Sequence, residues 1–75
     1  MNEIKITTEY IKLDQLIKFA GLSFDGAEAK DMIKSGIVFV NGEKEERRGR
    51  KLYSGDEILI KFEDEDFYMK VVKWL

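Results

Sequence analysis

The 75-residue sequence contains no cysteine, no histidine and no proline. Without cysteine, the chain can form neither a disulfide framework nor a thiolate metal site. The absence of histidine removes the commonest general base and the commonest metal ligand. A chain this short also has little room for a deep cleft. Enzymes are therefore the least favoured class of function, and we expect no catalytic residues, no cofactor and no bound metal.

Long apolar runs are missing as well. No stretch approaches the ~20 consecutive apolar residues that a membrane-spanning helix needs. Residues 1–5 lack the apolar core of a signal peptide. We therefore expect a cytoplasmic protein without membrane contact, folded as a single domain over residues 1–75 and monomeric.

Excess charge of one sign is also absent from the whole chain, because the formal net charge is only −2. The charge is nevertheless segregated. Residues 12–51 carry nine cations and seven acids, whereas residues 52–75 carry three cations and six acids. Salt screens electric fields within roughly 10 Å, so the local distribution matters more to an anionic ligand than the total.

Two short helices are predicted in the first half of the chain. Asp14 is a suitable N-cap for a helix over residues 15–20, and Gly21 ends it. Asp25 is a suitable N-cap for a second helix that ends at Gly36. Helices of this length are unstable alone and must pack on another element.

Alternating and β-branched residues predict strands over residues 3–8, 37–40, 57–62 and 67–74. Asn41-Gly42 favours a tight hairpin turn into a polar return strand, and the acidic residues 63–66 form the tip of the last hairpin. The order of elements predicts an α+β fold, in which two packed helices lie against a small, strongly bent antiparallel sheet.

Residues 47–51, Arg-Arg-Gly-Arg-Lys, place four cations in five positions. Such a run repels itself unless an anion is near, and arginine grips phosphate with two parallel hydrogen bonds. The alternative is a solvated loop that the neighbouring acids Glu43, Glu45 and Glu46 partly neutralise. The run by itself leaves both interpretations open.

Lysines on the two predicted helices could extend this basic run. Lys30 and Lys34 lie one turn apart on the second helix, and Lys12 and Lys18 flank the first. Lysines at this spacing usually only solvate a helix. Their interest lies in position, since a nucleic-acid surface combines many modest phosphate contacts.

Three segments in order resemble the RNA-binding domain named after ribosomal protein S4. They are Lys-Leu-Asp at residues 12–14 with Gly-Leu at 21–22, the stretch 29–42 ending in Val-Phe-Val-Asn-Gly, and Gly-Asp-Glu-Ile at 55–58. The similarity covers about residues 10–62. It implies the two-helix αL-type RNA-binding motif of that family.

Because little follows the last segment, the chain resembles the small stand-alone bacterial members of the family. The resemblance implies structured RNA as the ligand, either ribosomal RNA or tRNA, with the ribosome as a possible partner. Two positions depart from the family pattern. Lys12 stands where many members have arginine, and Phe24-Asp25 stands where many have arginine after the serine.

We therefore predict a non-enzymatic RNA-binding protein. The candidate RNA-binding residues are Lys12, Lys18, Lys30, Lys34, Asn41, Arg47, Arg48, Arg50 and Lys51. The alternative is a protein–protein adaptor in a ribosome-associated or replication-associated complex. It would use the acidic residues 63–66 and Trp74.

Overall fold

Two helices and seven strands follow one another in the computed structural model, which describes residues 2–74. In chain order the elements are β1 (Asn2–Ile6), β2 (Ile11–Lys12), α1 (Leu13–Phe19), α2 (Gly26–Lys34), β3 (Val38–Val40), β4 (Glu43–Lys44), β5 (Lys51–Leu52), β6 (Glu57–Lys61) and β7 (Asp66–Lys73). The predicted α+β class, with two packed helices and a small sheet, is confirmed.

The main sheet has five strands in the order β1-β7-β6-β3-β4. The three pairings β7–β6, β6–β3 and β3–β4 are antiparallel, as the sequence predicts. Strand β1 differs, because it runs parallel to β7 with Asn2 opposite Met69 and Ile6 opposite Lys73. A parallel pair needs a long connection, and here nearly the whole chain lies between the two strands. The sheet is therefore mixed.

A second sheet has only two strands. β2 and β5 pair antiparallel, with Ile11 opposite Leu52 and Lys12 opposite Lys51. Two residues per strand are too few to show the alternation that identifies a strand in a sequence, so neither strand was among those predicted. This small sheet joins the start of α1 to the end of the basic run.

The core lies between the helices and one face of the main sheet. Its buried apolar residues are Ile4, Ile6, Leu13, Leu16, Ile17, Ala29, Ile33, Val38, Val40, Leu52, Ile58, Ile60, Met69 and Val71. The helical spacing of Leu13, Leu16 and Ile17 places all three on the buried face of α1. Full burial of each such side chain contributes about 1.5–3 kcal/mol, which is why these short helices persist.

The ends of α2 match the sequence-based expectation, but the start of α1 does not. A carboxylate oxygen of Asp25 accepts a hydrogen bond from the Glu28 amide at 2.9 Å, so Asp25 caps α2. In α1 the N-cap position belongs to Lys12, and Asp14 lies inside the first turn, where its carboxylate accepts from the Gln15 amide at 2.8 Å. The prediction of Asp14 as N-cap is wrong because α1 begins two residues earlier.

Candidate nucleic-acid interface

A buried acid organises the basic run. Glu45 is 5% exposed and begins the segment of residues 45–51, hereafter the basic segment. Its carboxylate accepts from Nε and Nη2 of Arg47 at 2.9 and 3.0 Å, and from Nη1 of Arg50 at 2.7 Å. It also accepts from the Arg47 backbone amide at 3.0 Å. Charge-assisted bonds of this kind are among the strongest in proteins.

These contacts decide the protonation state of Glu45. The hydrogen bond from the Arg47 side chain is the largest influence and outweighs the effect of burial, so that, with Arg50 contributing, the pKa of Glu45 falls to about 2. The same pairing raises the pKa of Arg47. Both side chains therefore stay charged across the physiological range.

Arg47 remains accessible although Glu45 holds it. Its side chain is 74% exposed. A guanidinium carries five N–H donors in a planar fork, and Glu45 occupies only Nε and one position on Nη2. The remaining donors can bind a phosphate from a fixed orientation, which lowers the entropy lost on binding.

The backbone of the basic segment docks on the start of α1. The amide of Leu13 donates to the carbonyl of Arg50 at 2.9 Å, and the amide of Asp14 donates to the carbonyl of Arg48 at 3.0 Å. The first amides of a helix have no partner within the helix. Here the basic segment supplies the missing acceptors, so the cations are held in place relative to α1.

Lys12 and Lys51 are directly opposite each other across the two-stranded sheet. Side chains at directly paired positions lie on the same face, and two like charges there are destabilising. Nζ of Lys51 lies 4.9 Å from the centroid of the Tyr10 ring, a cation–π contact. An anion between the two lysines would relieve their repulsion.

The structure brings five of the predicted cations together at the start of α1. They are Lys12, Arg47, Arg48, Arg50 and Lys51. Three acids, Asp14, Glu45 and Glu46, belong to the same segments. The cations outnumber them, so the cluster is cationic although the whole chain is acidic.

Three predicted lysines lie further along the helices. Lys18 is in the last turn of α1, roughly 9 Å from Lys12 along the helix axis at 1.5 Å per residue. Lys30 and Lys34 lie on α2, which packs against α1, with Lys34 in its last turn. These lysines are therefore not part of the tight cluster, and their contact with RNA stays a prediction.

Asn41 holds two elements together. Its side-chain nitrogen donates to the Asp56 carboxylate at 3.1 Å, and its side-chain oxygen accepts from the Glu57 amide at 2.9 Å. Asn41 and Gly42 have φ of 52° and 86°, the positive values that a tight turn between β3 and β4 requires. The turn is thereby tied to the start of β6. A contact between Asn41 and RNA stays a prediction.

Sequence reasoning missed the role of Glu45, which it treated as one of three equivalent acids. The Glu45 amide donates to the carbonyl of Val38 at 2.9 Å and so prolongs the pairing of β3 with the return strand. Glu45 is buried at this position of the hairpin, while Glu43 and Glu46 stay exposed. No local signal in the sequence separates the three.

The two features assigned to an adaptor do not form one surface. The acidic residues 63–66 and Trp74 lie at opposite ends of β7, whose eight residues span roughly 23 Å. Nζ of Lys5 lies 4.4 Å from the centroid of the Trp74 ring.

Within residues 2–74, neither helix has the length and apolar character that crossing a bilayer requires, and no three acids are grouped as metal ligands would be.

Comparison with known proteins relates the chain to RNA-associated proteins. The family model described as "S4 domain" matches residues 4–69. A probable ribosome maturation protein, RlbA of Bacillus subtilis (strain 168), is 46% identical over 59 residues, which are 79% of this chain and 83% of that protein. An uncharacterized RNA pseudouridine synthase of Aquifex aeolicus (strain VF5) is 33% identical over 58 residues, which are 77% of this chain but 18% of that protein.

Proposed function

Because the chain belongs to the S4 domain family, we propose that it is a non-enzymatic RNA-binding protein that holds structured ribosomal RNA on the five clustered cations. The observation that carries the proposal is the network around Glu45. It holds two guanidinium groups in a fixed orientation, with Arg47 largely exposed, so that their free N–H donors can bind an anionic ligand.

Recognition of the RNA would depend on its sugar–phosphate backbone and its shape. A-form RNA has a narrow major groove that side chains cannot read, so proteins bind its paired regions through phosphates and 2′-hydroxyls. In this proposal Arg47 and Arg50 present fixed guanidinium groups, Arg48 adds an adaptable one, and Lys12 with Lys51 bind a phosphate between them. Lys18, Lys30 and Lys34 extend the contact along the helices.

The relatives support a ribosomal setting. The similarity to a probable ribosome maturation protein covers most of both chains, so we propose that the RNA is ribosomal and that the protein acts with the ribosome in the cytoplasm. The similarity to the pseudouridine synthase spans about a fifth of that protein. A short shared domain is consistent with binding RNA rather than modifying it.

The deciding experiment is crosslinking in cells followed by sequencing of the attached RNA. The test variant is Lys12→Ala/Arg48→Ala. Arg47 is left intact because its removal would also deprive Glu45 of its partner. The matched control is Lys61→Ala/Lys73→Ala, which removes the same charge from two exposed positions on β6 and β7.

We expect reads concentrated at one ribosomal RNA site in the wild type and in the control, and lost in the test variant. With the purified RNA, loss of two phosphate contacts should flatten the log–log salt dependence of binding by roughly 1.4–1.8. An equal loss of reads in the test and control variants would show that RNA is attracted by general charge, and it would contradict the proposed site. Reads concentrated on tRNA would keep the surface but change the ligand.

A further inference from the structure

We propose that a groove beside the basic segment binds an unpaired nucleobase of the RNA held by the cations, an inference that rests on the RNA-binding function proposed above. The groove, hereafter the aromatic groove, has a volume of about 730 Å³. Its lining residues are Thr8, Glu9, Tyr10, Ile11, Gln15, Lys18 and Phe19.

Two parts of the chain build the aromatic groove. The segment between β1 and β2 forms one wall, with Tyr10 half-buried. The outer face of α1 forms the other, because Gln15, Lys18 and Phe19 have the spacing of neighbours on one helix face. The buried residues Leu16 and Ile17 lie on the opposite side of α1.

Phe19 is one of the large exposed apolar residues, and among them it is the one that lines the groove. Its side chain is 67% exposed, although it lies on a helix with a well-defined buried face. An exposed phenyl ring contributes little to the core. Together with Tyr10 it gives the groove aromatic walls, and stacking of a base on such rings is tolerant of base identity.

One cation lines the groove and two more lie beside its Tyr10 wall. Lys18 lines it, Lys51 lies against the Tyr10 ring, and Lys12 is directly opposite Lys51. Glu9 is the acid among the lining residues. A nucleotide carries a flat, largely apolar ring and an anionic phosphate on one unit, which matches this pairing of aromatic wall and cationic rim. An apolar peptide would leave the lysines without a partner.

The groove is also continuous with the proposed phosphate surface. Tyr10 lies between the groove and the basic segment, because its ring contacts both the groove and Lys51. An RNA backbone on Lys12 and Lys51 would therefore pass the mouth of the groove. An unpaired base at this point can leave the helix at the smallest cost, since no base pair has to be broken.

The test compares two hairpin RNAs that differ only in one unpaired 2-aminopurine nucleotide within the stem. Binding is measured at low salt, and 2-aminopurine fluorescence reports stacking of the base. The test variant is Phe19→Ala. The matched control is Phe24→Ala, because Phe24 is 88% exposed and lies outside the groove.

We expect the wild type and Phe24→Ala to bind the bulged hairpin roughly fivefold or more tightly than the paired one, with a change in fluorescence. Phe19→Ala should lose this preference and the fluorescence change while binding the paired hairpin as before. Phe19→Tyr, which keeps a stacking ring, should restore both.

The outcomes separate this inference from the RNA-binding function. If Phe19→Ala binds the bulged and the paired hairpin as the wild type does, while Lys12→Ala/Arg48→Ala binds both more weakly, the base-binding proposal is overturned. A side chain of a protein partner then becomes the candidate occupant of the groove. If the wild type binds neither hairpin more tightly than Lys12→Ala/Arg48→Ala does, the RNA-binding function fails, and base binding fails with it.

Discussion

The protein has two runs of like charge at chain reversals, and the fold treats them differently. In the basic segment, a buried Glu45 binds Arg47 and Arg50, and the backbone docks on α1. At the acidic residues 63–66, every side chain is exposed, and within residues 2–74 both ion pairs that the structure shows belong to Glu45. The fold therefore orients the first charge run and leaves the second exposed.

The largest difference between the two runs should appear in the pH dependence of stability. The pKa of Glu45 is about 2 in the folded protein against 4.5 for a free carboxyl. A lowered folded-state pKa gives stability that is present above pH 4.5 and is lost as the pH falls towards 2. Because water screens the exposed Arg47 partner, we expect Glu45 to contribute about 1–3 kcal/mol to this loss.

The measurement is denaturant unfolding of the wild type and Glu45→Gln between pH 7 and pH 2. The difference in unfolding free energy between the two proteins should shrink towards zero at low pH. Glu46→Gln, which leaves Glu45 intact, is the control and should follow the wild type. A constant difference between wild type and Glu45→Gln at every pH would contradict the role of Glu45.

Removal of the Glu45 side chain at neutral pH should lower the free energy of unfolding by a similar amount. Glu45→Ala deletes the acceptor of four hydrogen bonds, but Arg47 is already largely exposed and can return to water. We expect a loss of about 1.5–3 kcal/mol in the free energy of unfolding, measured by urea titration. Glu46→Ala should change it by less than about 0.5 kcal/mol. Equal effects would mean that burial of Glu45 has no energetic consequence.

The RNA affinity of Glu45→Gln should show whether the orientation of the arginines matters more than the total charge of the protein. Glu45→Gln makes the protein more positive by one charge, which alone would strengthen RNA binding. Because it releases Arg47 and Arg50 from a fixed orientation, and ordering each side chain costs about 0.5–1.5 kcal/mol, we expect roughly fivefold weaker binding to ribosomal RNA. Stronger binding by the variant, with the fold intact by circular dichroism, would show that orientation is unimportant.

The smallest effect is expected at the acidic tip. Glu63→Gln/Asp64→Asn alters two exposed side chains that make no hydrogen bond in the described structure. The free energy of unfolding should change by less than about 0.5 kcal/mol in a urea titration. A loss as large as that of Glu45→Ala would remove the contrast between the two regions.

Local patterns predicted most elements well. The cap by Asp25, the helix ends at Gly21 and Gly36 and the turn at Asn41-Gly42 all depend on residues within a few positions of one another. The candidate site was predicted in part. The basic run and Lys12 were named as candidates from the sequence, but the pairing of Lys12 with Lys51 and the acid that holds the run were not.

What the sequence determined by itself is therefore the set of helices, turns and buried faces, because capping, φ preferences and apolar periodicity act over short distances. The tertiary structure alone decided the parallel pairing of β1 with β7, the position of Lys12 opposite Lys51, and the burial of Glu45. The two strand pairings join residues far apart in the chain, and the burial of Glu45 follows from the pairing of β3 with the segment that includes β4. Burial and partner charges set the state of an ionisable group, and only the folded chain supplies them.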